Sequence, residues 1–147
     1  MKIHELGHVV LYVSNLTRSL SFYRDILGFA CIHHDDHTAA FSSGRTHHEL
    51  LLIAVGGRPK HRTHPTPGLY HIGLNIGSSD RELKAAIKEL EHKEVQIVGY
   101  ADHTVTHSVY IQDPDGNEIE LYVDVNDGWK KDPTLVMAPT KPLSFRD

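Results

Sequence analysis

Residues 104–125 read TVTHSVYIQDPDGNEIELYVDV. Apolar side chains recur at alternate positions, at Val109 and Ile111 and again at Ile119, Leu121 and Val123, with Asp113-Pro114-Asp115-Gly116 between the two runs. Alternation interrupted by Pro, Asp and Gly predicts a β-hairpin. One acid stands inside the second run. Glu120 lies among residues patterned for packing, where a carboxylate needs a cation, a hydrogen-bond donor or a raised pKa. By itself, a strand Glu reads as the wet face of an edge strand. Two other short apolar runs change that weighting: GHVVLYV (7–13) and YHIGLNI (70–76) each carry a His second from the start. Two strand-borne imidazoles and one carboxylate make a metal-ligand set.

These runs belong to a unit that occurs twice. In the first, Gly7 to Val13 leads through Ser14-Asn15 into Leu16, Leu20, Tyr23 and Leu27 at helical spacing, ended by Gly28. Strands are predicted over 29–33, 38–42 and 48–55. In the second, Tyr70 to Ile76 leads to Ser79-Asp80-Arg81-Glu82, a capping box, and to a stripe of Leu83, Ala86, Ile87 and Leu90. A strand over 94–98 and the 104–125 hairpin complete it. The expected fold is α+β: two tandem βαβββ units, 1–55 and 70–125, within one domain over 1–125, forming a cup-shaped mixed sheet around a metal site. Residues 56–69, rich in Gly, Pro and basic side chains, read as a linker. Residues 126–147 contain Pro133, Pro139 and Pro142 and read as an extended tail. There Leu135, Val136, Met137 and Leu143 are expected to lie on the chain's own sheet or on a second subunit, favouring a homodimer.

Units related by a pseudo-twofold axis point equivalent positions at a common space. His8 and His71, 63 residues apart, are such a pair, and Glu120 completes a facial set of two His and one carboxylate. Such a set leaves positions open on a divalent metal; with Fe(II) it is the pattern for activating oxygen at an organic substrate, but Mn, Co, Ni and Zn accept the same donors, so the residues do not select the metal.

Composition sets the remaining limits. The chain has 147 residues, 39% of them hydrophobic and 23% charged, the balance of a globular domain. A net charge of −4 with mixed signs argues against nucleic acid and anionic membranes as partners. Cys31 is the single cysteine, which fits a reducing cytoplasm, and neither a signal peptide nor a membrane span is expected. Of thirteen His residues, His33, His34, His37, His61 and His64 fall in polar stretches and read as solvated.

The strings GHVVLYVSNLTRSLSFYRDILGF, YHIGLNI and DPDGNEIEL resemble the vicinal oxygen chelate superfamily of glyoxalases, bleomycin- and fosfomycin-resistance proteins, epimerases and extradiol dioxygenases. The resemblance implies that His8, His71 and Glu120 are metal ligands. Among the members, the extradiol dioxygenases look most similar. Their signature is matched by His103, Val109-Tyr110, Asp113-Pro114, Gly116 and Glu120, with Ala101 a departure two residues before His103. His47-His48-Glu49-Leu50 also looks like a run found in dioxygenase-like members, although most characterised extradiol enzymes have four units and this chain has two. The implied activity is Fe(II)-dependent ring cleavage of a catechol-type diol by O2. His103 would move protons and Tyr110 would hydrogen-bond an oxygen, with His107 a second choice for the proton role. The plainer readings are a loop His and a cross-strand Tyr; Tyr12, Phe22 and Tyr23 read as core, and Trp129 as a tail anchor or a pocket wall.

The rival implied by the same resemblance is a glyoxalase- or epimerase-like lyase or isomerase with four protein ligands. Glu49 is its candidate fourth ligand, but one residue of strand register would present Leu50 instead. A metal-free protein sequestering a flat ligand is the third reading.

Overall fold

A computed structural model describes residues 1–58 and 65–145. His61, His64 and the middle of the linker lie outside the described residues. The chain divides into two compact units, residues 1–65 with 113–116, and residues 66–112 with 117–147.

The first unit runs β1 (Val9–Val13), α1 (Leu16–Ser21), β2 (Cys31–His34), β3 (Thr38–Phe41) and β4 (Leu50–Ala54), with sheet order β1-β4-β3-β2. The second repeats it as β5 (His71–Gly77), α2 (Asp80–His92), β6 (Ile97–Asp102), β7 (Thr106–Gln112) and β8 (Glu118–Asp124), in order β5-β8-β7-β6. In each, the first strand lies parallel to the last and the other pairs are antiparallel. The expected pair of βαβββ units is therefore present as two four-stranded mixed sheets, an α+β fold.

β1 is shorter than its pattern and begins at Val9, leaving His8 just ahead of the strand. The cause is a side chain from far along the chain. Arg45 donates to the backbone oxygens of Leu6 and Gly7 at 3.3 and 3.2 Å, so those carbonyls are satisfied outside the ladder. Alternation then sends Leu11 and Val13 into the core and leaves Tyr12 71% exposed, which removes Tyr12 from the expected core. Asn15 caps α1 by accepting from Arg18 N–H, and past Ser21 the helix widens into a π turn over Phe22–Ile26, with Leu27 N–H donating to Phe22 O. Gly28, at φ 72°, ends it.

The turn of the last hairpin, 113–116, belongs to the first unit. Tyr23 is fully buried and donates to Asp113 at 2.9 Å, while Ser14 donates through both its backbone N–H and its hydroxyl to Asp115, joined by Arg18 at 3.1 Å. Burial, and then the Asp113 charge, raise the Tyr23 phenol well above its ordinary pKa. Tyr23→Phe is expected to destabilise the protein by about 1.5–3 kcal/mol, as a hydrogen bond to a charged group is lost with no change of shape. A urea midpoint equal to wild type would show that the bond contributes nothing.

In the second unit Ser79 caps α2 and Glu82 reaches back to Ser78 N–H and the Ser79 hydroxyl, while Leu83, Ile87 and Leu90 face the sheet. β6 starts three residues later than expected. The reason is the helix end: Val95 N–H bonds to Leu90 O and Glu94 takes a left-handed φ of 56°, so the chain is still turning where a strand was predicted. Residues 126–145 are not a simple extended tail either. They form 3-10 turns at Gly128–Lys130 and Pro133–Met137, the second capped by Asp132, and then pair Lys141 with Asp102 through two backbone hydrogen bonds of 2.9 Å. Val136 and Met137 stay exposed and Leu135 and Leu143 are only partly covered, so within the chain the segment is held by backbone pairing and by contacts such as Thr140 with His103 rather than by a buried apolar face.

Candidate functional site

The site residues stand on one face of β5, β8 and β7. Ile119, Leu121 and Val123 of β8 are buried with Val109 and Ile111 of β7, which turns Glu118, Glu120, Ser108 and Tyr110 to the opposite face. Register brings Tyr110 directly across from Glu120, and Gly73, two residues after His71, beside it.

Glu120 has three polar side chains against it. His71 Nε2 lies 3.1 Å from Oε2, while Ser108 Oγ and Tyr110 Oη donate to Oε1 at 2.6 and 3.0 Å. His103 Nε2 lies 2.7 Å from Tyr110 Oη, and Thr140 Oγ1 lies 3.2 Å from His103 Nδ1. The order of donation follows. With Tyr110 donating to Glu120, its oxygen accepts from His103 Nε2–H, and His103 Nδ1 accepts from Thr140. Burial first, and then the charge of Glu120, push the Tyr110 phenol strongly up, so it stays protonated.

Two atoms here lack partners. Among the described residues, His71 Nδ1 and Glu118 Oε1 are buried without hydrogen bonds, 3.8 Å apart. Buried polar atoms rarely stay unpaired, so these two call for a partner. His71 Nε2 beside Glu120 Oε2 is an imidazole–carboxylate pair of the kind that suits a divalent ion, and by that donor chemistry His71 and Glu120 fit a metal.

His8 lies in the first unit, exposed, its ring 4.4 Å from that of His48 and 5.9 Å from that of His47. Within either unit, among the described residues, no three His, Cys, Asp or Glu side chains form a group arranged to hold an ion. Glu49 is engaged elsewhere. It accepts from Ser43 N–H and from Arg45 Nε at 3.0 Å, and the Ser43 bonds, more than Arg45, hold its carboxyl below the usual range. Register answers the question left open about this strand. Val10 pairs with Leu51 as Gly73 pairs with Glu120, so Leu51, and neither Glu49 nor Leu50, occupies the place equivalent to Glu120.

His107 faces the helix side, 2.6 Å from Asp80 at the start of α2 and 3.6 Å from Asp102, on the face opposite Tyr110 and Glu120. Trp129 lines a cavity of about 580 Å³ with Ser78, Asp124–Asp127 and Lys130. Sequence reasoning missed Ser108, Thr140 and Glu118. Glu118 was accessible to it, since Glu118 and Glu120 share one face by alternation.

Comparison with known proteins adds three findings. A family model described as "Glyoxalase/Bleomycin resistance protein/Dioxygenase superfamily" matches residues 5–121. The chain is 31% identical over 137 residues to a catechol-2,3-dioxygenase of Bacillus subtilis, covering 88% of this chain but 46% of that protein, and is thus about half its length. It is 29% identical to the metallothiol transferase FosB of Staphylococcus haemolyticus, covering 82% of this chain and 84% of the relative. A glyoxalase/dioxygenase from Nostoc punctiforme, at 21% identity, shares the fold with a TM-score of 0.68 over 83% of this chain and 92% of its own.

Proposed function

Because the chain belongs to the glyoxalase/bleomycin resistance protein/dioxygenase superfamily, we propose that it is a metal-dependent extradiol dioxygenase that opens the ring of a catechol-type diol. His8, His71 and Glu120 are the ligands, Fe(II) is the metal, with Mn, Co, Ni or Zn as substitutes, and the enzyme is a cytoplasmic homodimer. No helix among the described residues is long and apolar enough to cross a membrane.

The observation that carries this reading is the hydrogen-bonded line from Thr140 through His103 and Tyr110 to Glu120. When bound, the metal supplies Lewis acidity and open positions for a chelating diol and O2. The protein does the rest. Tyr110 presents a protonated hydroxyl that orients a substrate oxygen, since burial keeps the phenol from ionising. Because Tyr110 donates to Glu120, its oxygen accepts from His103, so the proton His103 delivers leaves from Nε2, with Thr140 at Nδ1. Ser108, donating to Glu120 at 2.6 Å, holds the carboxylate while Tyr110 turns to substrate.

Leu51 in the place equivalent to Glu120 speaks for three protein ligands, and so against the four-ligand lyase or isomerase. Glu49→Gln is therefore expected to leave metal stoichiometry unchanged; loss of the metal in that variant would restore the four-ligand reading. The similarity in length to the metallothiol transferase favours thiol transfer as a second reading. One experiment separates them. Fe(II)-loaded protein given a panel of catechols in air should consume O2 and release yellow ring-opened products. Turnover of a hemithioacetal, or transfer of a thiol to an added electrophile, without O2 uptake overturns the dioxygenase.

A further inference from the structure

His71 has an acid on each side. Nε2 faces Glu120 at 3.1 Å, and Nδ1 faces Glu118 at 3.8 Å, the two residues standing side by side in the parallel register of β5 and β8. The second spacing exceeds a hydrogen bond by several tenths of an ångström, yet both atoms are buried and neither has a hydrogen bond among the described residues.

The two contacts cannot serve a bound ion equally. If Nε2 carries the proton it donates to Glu120 and has no lone pair to give, and Nδ1 remains buried and unpaired. If Nδ1 carries the proton, Glu118 accepts it, both orphaned atoms are satisfied, and Nε2 is free as a ligand. The first unit lacks this device. Val9, next to His8, pairs with Leu50, so Glu49 takes the register place equivalent to Glu118, but Ser43 and Arg45 hold its carboxylate.

We propose that Glu118 is a positioning residue, accepting the Nδ1–H of His71 so that Nε2 is presented to the metal. The proposal rests on the reading of His71 as a ligand. A carboxylate behind a ligating imidazole fixes its tautomer and raises its basicity, and losing it weakens metal binding by about 10–100-fold.

The test uses the full chain, labelled with ¹⁵N-His and loaded with Zn(II), with His71 identified by the signal lost in His71→Ala. Wild type should show Nε2 shifted by zinc and a slowly exchanging proton on Nδ1. In Glu118→Ala that proton should disappear into solvent exchange and zinc affinity, read by chelator competition, should fall by about 10–100-fold. Glu118→Gln keeps an accepting oxygen and should recover most of the affinity. Zinc held as tightly by Glu118→Ala as by wild type, with the Nδ1 proton intact, overturns the positioning role alone. Zinc bound equally by wild type and His71→Ala overturns the metal-site reading and takes the positioning role with it.

Discussion

His71→Ala reduces bound divalent metal from about one ion per chain to almost none. If three protein ligands share a binding free energy of ~12 kcal/mol, removing one forfeits ~4 kcal/mol, or about three orders of magnitude in affinity. The fold should survive, because Glu120 keeps the Ser108 and Tyr110 donors and His71 lies at the first residue of β5, outside the buried core. Elemental analysis of the purified variant, beside a thermal melt, checks both halves. A variant that melts like wild type and still carries its metal removes His71 from the site.

The second large effect concerns turnover without metal loss. His103→Ala is expected to lower kcat by about 10²–10⁴-fold, the usual contribution of a positioned acid or base, while metal content stays unchanged. Tyr110→Phe should also slow the reaction and retain the metal, since Ser108 and His71 still hold Glu120. If Tyr110 were only a cross-strand aromatic opposite Glu120, Phe would replace it at no cost to rate. The folded-state pKa of Tyr110 is raised, so the stabilising bond is whole below the ordinary phenol pKa of about 10 and is lost only as pH climbs through the higher folded value. Ionisation of Tyr110 should therefore contribute nothing to a pH–rate profile taken between pH ~6 and ~9.

The parts of this arrangement that were legible in the sequence depend on local rules. Alternation in 104–125 placed Tyr110 and Glu120 on one face, and the 113–116 turn then fixed them opposite each other. The Ser79–Glu82 box marked the start of α2, and the repeated strand–His pattern exposed the duplication. What escaped depends on side chains that reach across the chain. Arg45 satisfies two carbonyls 38 and 39 positions away, which no pattern around Gly7 announces, and so His8 falls outside β1. Thr140 reaches His103 only because Lys141 pairs with Asp102, and a polar residue in a proline-rich segment carries no sign of that. The strand position of Glu49 was undecidable because Leu50, Leu51 and Leu52 read alike on either face; pairing with β1 resolves it.

The grouping of 113–116 with the amino-terminal half bears on how this chain can be cut and rebuilt. A gene divided in the linker would yield a fragment in which Tyr23, Ser14 and Arg18 have lost their acceptors, Asp113 and Asp115, to the other piece. Neither repeat should then work as a self-sufficient module, and complementation between co-expressed halves would report directly on that four-residue turn.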